Sequence, residues 1–200
     1  MKAIVLGGSK GIGKGISDAL KEIGKVNNVI STSSSDVDTS SIDQVKEFVK
    51  QQEQTDILVL NTGGPPAKDF YDITEEDWIK YFNQLFYSFI YILQKLRIND
   101  NGYIFLISSH QIKEPDEKMS LSVSYRIAIS SVLKSLTKRY AKRNISYINI
   151  APGPIGTERL KDLVDNIADF ESGLPMRRVG KVEEIGEFVK SIVEKEIKYL

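Results

Sequence analysis

Five glycines, Gly7, Gly8, Gly11, Gly13 and Gly15, fall within nine residues of the stretch LGGSKGIGKG, directly after the apolar run at residues 3–6. The chemistry this pattern suits is phosphate binding. A strand must turn sharply into a helix there, and a Cβ would keep backbone N–H groups from closing on a pyrophosphate. The N-terminus of the helix adds partial positive charge. Glycines also make ordinary tight turns, so context decides between the two readings. Here a strand precedes, and Ile12, Ile16, Leu20 and Ile23 recur at helical spacing up to Gly24. In that setting the stretch reads as a dinucleotide cradle.

A cradle of this kind needs strands and helices in alternation to hold it. Residues 26–32 read as a second strand. Residues 40–52 follow as a helix with Ile42, Val45, Phe48 and Val49 inward, and residues 56–60 as a third strand. The turn NTGGPP at 61–66 ends that strand, and Thr74 caps a helix expected to run from 75 to about 98. A fourth strand at 103–107, a helix over 118–143 and a fifth strand at 145–150 complete the alternation. After them come PGPIGT at 152–157, a short helix near 158–170 and a last helix from 182 to about 195. The expectation is an α/β fold, a doubly wound parallel sheet of about five strands with helices on both faces. Ligands in such sheets lie beyond the carboxyl ends of the strands. The loops that matter are therefore 7–13, 31–38, 61–66, 108–114 and 152–157.

Two hundred residues make one domain, 1–200, with room for a substantial core. Lys plus Arg equals Asp plus Glu at 27 each, so no basic surface for nucleic acid is implied. Cysteine is absent and histidine occurs once, which excludes disulfides and thiolate metal sites and argues against a histidine-based one; no metal is expected. No stretch is ordered like a signal peptide or long enough to span a bilayer, so no membrane partner is expected and a cytoplasmic location is.

On these motifs the chain resembles the short-chain dehydrogenase/reductase family, in particular a divergent subgroup similar to 3-oxoacyl-[acyl-carrier-protein] reductases. The family's GxxxGxG falls on Gly7, Gly11 and Gly13, its NNAG turn on Asn61, Thr62, Gly63 and Gly64, and its PGxIxT stretch on Pro152, Gly153, Ile155 and Thr157. The resemblance implies a Rossmann-like fold that binds NAD(P). It carries cofactor contacts onto Gly7, Ser9, Lys10, Gly11, Ile12, Gly13, Ser33, Asp38, Asn61, Gly63, Gly64, Arg126, Pro152, Gly153, Ile155 and Thr157. Asp38 takes the position that meets the adenine ring.

The departures bear on catalysis. The family's serine lies thirteen residues before its tyrosine, with a lysine four further on. Laid on Ser109, that spacing puts Ser122 in place of tyrosine and Arg126 in place of lysine, and the family's asparagine falls on Leu85. A phenol can be tuned for acid–base work, whereas a serine hydroxyl needs a neighbouring base. Arginine keeps the charge and can bind ribose hydroxyls, yet it cannot release a proton. Tyr125 and His110 are alternative proton donors: Tyr125 lies three residues after Ser122 on the expected helix, and His110 is the one imidazole. Ser109 is placed to hold a substrate carbonyl.

Ser31–Ser35 stand where NAD-selective relatives carry an acid, and Lys10 resembles a position that meets the 2′-phosphate, so NADP is favoured over NAD; Asp36 argues the other way. Compared with the family, the region before Asp38 is shortened, with a strand remnant expected at Val37, and the family's last strand is not expected within residues 1–200. The apolar stripe along 75–97, from Trp78 to Leu96, is wider than one buried face requires, and the family pairs through this helix, so a homodimer is expected. Two functions follow: an NAD(P)-dependent oxidoreductase acting on a small alcohol or carbonyl, with catalytic residues among Ser109, Ser122, Tyr125 and Arg126, or a non-catalytic NADP(H)-binding protein, a sensor or assembly subunit.

Overall fold

Residues 3–6 alternate between two hydrophobic layers. Ile4 and Leu6 pack with Val45, Phe48, Phe89 and Ile129, whereas Ala3 and Val5 pack with Ile16, Leu20, Val189 and Ile192. Period-two alternation with both faces apolar is the signature of a strand inside a parallel sheet covered on both sides. The computed structural model, which describes residues 1–199, bears this out. Strands β1 (Lys2–Val5), β2 (Asn28–Ser31), β3 (Gln54–Leu60), β4 (Arg97–Ile107) and β5 (Ser146–Ile150) form one parallel sheet in the order β2-β1-β3-β4-β5.

The helices among the described residues are α1 (Gly11–Lys21), α2 (Ile42–Gln51), α3 (Glu75–Phe82), α4 (Ser88–Lys95), α5 (Ser120–Ser135), α6 (Thr137–Ala141), α7 (Glu158–Lys161), α8 (Ile167–Gly173) and α9 (Val182–Glu194). Helices α1 and α9 cover one face of the sheet, and α2, α4 and α5 cover the other. Each leucine or isoleucine fully buried between these layers, Leu58 and Ile104 among them, contributes roughly 1.5–3 kcal/mol of transfer free energy.

Several boundaries differ from the sequence expectation, each for a local reason. The helix from 75 ends at Lys95 because Leu96 is extended and Arg97 enters β4, where Ile98 pairs with Thr55. Residues 99–102 then bulge out of the sheet, with Asn101 in the left-handed region at φ 61°, before pairing resumes at Tyr103. Between α3 and α4 the helix passes through a π turn, Asn83–Tyr87. The helix expected over 118–143 breaks at Leu136, and the one near 158–170 is two short helices. No strand forms at Val37. Its side chain is buried in the core while Ser33 and Asp36 close a turn beside it.

Candidate active site

The loop from β1 into α1 can be built only with glycine at its critical points. Gly7 has φ +59°, and a Cβ on it would come within 2.8 Å of the Asn61 amide nitrogen. A Cβ on Gly13 would lie 2.1 Å from the Gly7 carbonyl oxygen, inside van der Waals contact. Asn61 donates from Nδ2 to the Leu6 and Gly7 carbonyls at 3.2 Å each, tying the end of β3 to the cradle. Its amide thus shapes the loop. Lys10 places no side-chain cap on α1, and no acid occupies the first turn, so among the described residues no side chain caps the first N–H groups of the helix. A cradle closed to side chains and lined with free donors fits the pyrophosphate of a dinucleotide.

The PGPIGT loop lies beside this cradle. The position of a Cβ on Gly11 is 3.4 Å from the Thr157 methyl group. Hydrogen bonds from Gly156 N to Gly180 O and from Gly180 N to Pro154 O hold the loop, with Ile155 and Gly180 bridged in parallel. Pro152 O accepts from the His110 backbone N–H at 2.9 Å and faces the His110 Nδ1 at 3.2 Å. His110 is exposed and directed at this loop.

At the far end of β2, Gly8 N donates to Thr32 O at 2.7 Å. The Ser33 hydroxyl and backbone N–H both donate to Asp36 at 2.7 Å, which holds the Asp36 carboxyl below its usual range. Asp36 is therefore folded back on the serine turn. Asp38 accepts from the Ser40 N–H and hydroxyl at 2.8 Å. Ser9 and Lys10 are exposed, Ile12 is half-buried against the core, and Lys10 makes no ion pair among the described residues.

Arg126 organises the reacting end. From α5 it donates through Nε to the Ser122 hydroxyl at 3.2 Å, through Nη1 to Ile107 O at 2.8 Å, and through Nη2 to Thr62 O at 3.5 Å. The family lysine's position, the tyrosine's position, the end of β4 and the NTGG turn thus meet at one guanidinium. Desolvation, then the charge of Arg159, pushes its pKa down to about 10, which still leaves a full cation at neutral pH. Ser122 is buried; its oxygen accepts from Arg126, leaving its proton to donate. Ser109, half-buried two residues beyond Ile107, accepts from Gln111 N at 3.3 Å and likewise keeps its proton to donate.

One expected catalytic residue is displaced. The Tyr125 hydroxyl donates to Trp78 O at 3.0 Å, its ring packs edge-on against Trp78 and Phe82, and burial raises its pKa. On a helix, position 125 is turned by one residue from the face that Ser122 and Arg126 share, so Tyr125 serves the packing of α5 on α3. Leu85, at the family's asparagine position, is buried in the π turn.

Two residues outside the sequence expectation also join the site. Gln84, in the π turn, donates to Gly63 O at 2.9 Å. Arg159, from α7, donates to Pro65 O, and its guanidinium faces Gly64. Arg159 lies in the helix expected near 158–170, but a single basic residue in a polar helix carries no signal of what it faces.

Comparison with known proteins agrees with the geometry. Residues 12–200 match the family described as enoyl-(acyl carrier protein) reductase. The chain is 26% identical to the NADPH-dependent reductase BacG of Bacillus subtilis over 72% of this chain and 62% of BacG. It is 24% identical to the 3-oxoacyl-[acyl-carrier-protein] reductase FabG of Buchnera aphidicola over 99% of this chain and 91% of that protein. Its fold matches a short chain dehydrogenase from Burkholderia cenocepacia in complex with NADP, with a TM-score of 0.82, 22% identity, and coverage of 98% of this chain and 92% of that one.

Proposed function

Because this chain belongs to the short-chain dehydrogenase/reductase family of NAD(P)-dependent oxidoreductases, we propose that it interconverts a small carbonyl compound and its alcohol with NADP(H). The observation that carries this reading is the convergence at Arg126 of Ser122, the end of β4 and the NTGG turn, beside a glycine cradle fit for pyrophosphate.

The nicotinamide, when bound, supplies or accepts the hydride. The chain's own part is binding and orientation. Gly7, Gly11, Gly13 and the first turn of α1 hold the phosphates, and Lys10 serves the 2′-phosphate. Arg126 holds a fixed positive charge at the ribose and the developing oxyanion. Ser109 donates to the substrate oxygen, and the Ser122 hydroxyl, or a water it orients, delivers the proton. Preorganised donors of this kind act where charge develops in the transition state.

NADPH and NADH titrated by fluorescence, followed by absorbance across a panel of aldehydes and ketones, tests the reading. Tight NADPH binding with turnover is the expected result, and binding without any turnover would instead support a nucleotide-binding role. That second reading draws on one specific observation: the tyrosine and lysine positions hold Ser122 and Arg126, and Arg126 cannot relay a proton.

The protein is further proposed to act in the cytoplasm as a homodimer through residues 75–97. Ile79, Phe82 and Tyr87 are exposed along this helix, with Ile127 exposed on α5; exposed apolar patches of this kind mark contact surfaces. Among the described residues no helix is long and apolar enough to cross a membrane.

A further inference from the structure

Two arginines from different helices face the same turn without a counter-ion. The point a Cβ would occupy on Gly64 lies 3.8 Å from the Arg126 Nη2, 3.8 Å from the Arg159 Nη2 and 3.9 Å from the Arg159 Nε. Gly64 has no side chain, so the turn places no Cβ against the two guanidinium groups. Among the described residues neither arginine forms an ion pair, whereas Arg143 is paired with Asp100 and Arg178 with Glu184, both at 2.7 Å. Burial lowers the pKa of both cations; Arg159 lowers that of Arg126 further, and Asp162, then Tyr81, partly offset the burial of Arg159.

Two like charges brought together and partly desolvated are unfavourable unless an anion joins them. Donors remain for one. A guanidinium has five N–H groups; Arg126 uses three on Ser122, Ile107 and Thr62, and Arg159 uses one on Pro65. The planar fork of the free N–H groups matches the two oxygens of a carboxylate, or the oxygens of a phosphate.

We propose that Arg126 and Arg159 form the receptor for an anionic oxygen group, carboxylate or phosphate, carried by the carbonyl substrate. The inference rests on the reductase reading and names its substrate class. Arg159 follows Thr157, whose methyl group packs on Gly11 of the cradle, so it is the anchorage of Arg126 that sets this anion apart from the cofactor's own pyrophosphate. The cradle follows β1, while Arg126 is anchored to the end of β4, two strands away across β3, beside the loop that carries Ser109. The reaction balances as before: the carbonyl carbon gains the hydride, its oxygen gains a proton, and the acidic group stays unchanged on the pair.

The test uses the full chain and three anionic probes, acetoacetate, malonate and inorganic phosphate, with neutral methyl acetoacetate as the control. Each is titrated by calorimetry into the protein alone and into its NADP⁺ complex, and NADPH affinity is measured by fluorescence. The expected result is binding of at least one anion but not the ester, and weakening of that binding by about tenfold or more in Arg159→Gln, the loss of one charge-assisted partner. Arg159→Lys keeps the charge without the fork and should recover part of the affinity, which controls for misfolding. Absence of anion binding, or equal binding by wild type and Arg159→Gln, overturns the proposal. So does a comparable loss of NADPH affinity in Arg159→Gln, which would assign the pair to the cofactor. If NADPH fails to bind while anions still bind through Arg159, the reductase reading fails and the anion receptor stands by itself.

Discussion

The Arg126 guanidinium donates to the carbonyl oxygen of Ile107 at 2.8 Å, pinning α5 to the end of the strand that leads into Ser109. One side chain therefore sets the spacing between the serine expected to hold the carbonyl and the helix that carries Ser122. Arg126→Met should remove this link and leave the Ile107 oxygen short of a donor. A buried acceptor left unpaired costs about 1–3 kcal/mol, measurable as a lower midpoint in urea unfolding. NADPH affinity should fall with it. A variant as stable as wild type, with unchanged NADPH affinity, would remove Arg126 from the site.

Ser109 and Ser122 differ in what their oxygens already accept, and their substitutions should differ accordingly. On the proposed mechanism Ser109 donates to the substrate oxygen, so Ser109→Ala should lower kcat by about 100-fold or more, the effect of losing one oxyanion donor. Ser122→Ala also frees the Arg126 Nε and should lower both kcat and stability. The double variant Ser122→Tyr with Arg126→Lys replaces the pair with the family's own residues and should raise kcat. A folded double variant with no gain would show that the thirteen-residue spacing from Ser109 was laid in the wrong register.

The cradle was legible in the sequence because its constraint is local. Gly7 and Gly13 are demanded by contacts with Asn61 and with each other, and their spacing records those contacts. The five strands were legible for a similar reason: residues 3–6 and 57–60 must be apolar on both faces. The partner of Tyr125 was not legible, because sequence spacing places it near Ser122 but cannot say that Trp78 O takes its hydroxyl. Arg159 escaped notice because its meaning lies in a turn 94 residues away in sequence. The early end at Lys95 was hidden because Leu96 and Ile98 continue the apolar pattern of the helix into the strand.

Lys10 is exposed and forms no ion pair among the described residues, and it is the cation proposed to meet a 2′-phosphate near the cradle. Lys10→Ala should weaken NADPH by about tenfold, the ~1.4 kcal/mol within reach of a charge-assisted contact to phosphate. NADH, which lacks that phosphate, should lose far less. Equal losses for the two nucleotides would place Lys10 at the shared pyrophosphate instead. Asp36 predicts the complementary change. Its carboxylate is turned back on Ser33, so Asp36→Asn removes a negative charge from the same end and should tighten NADPH relative to NADH.

The ion pair of Arg178 with Glu184 should make the chain around the PGPIGT loop sensitive to acid. Glu184 accepts from both guanidinium nitrogens, at 2.9 and 2.7 Å, and from Lys181 N at 2.7 Å. The Arg178 side chain, first, and the Lys181 N–H hold its pKa down to about 2 from 4.5. Between these values the unfolded chain binds the proton and the folded chain does not, so stability rises with pH across the window. The contribution of the pair is complete above pH 4.5 and is lost as pH falls toward about 2. Glu184→Gln should therefore unfold with a shallower dependence on pH over that range, seen in thermal midpoints measured from pH 6 down to pH 3, whereas parallel curves would show that the pair is already broken in solution. Because Gly180, two residues from Arg178, bonds to Pro154 and Gly156, the same variant should bind NADPH more weakly at neutral pH, where Glu184 is charged in the wild type.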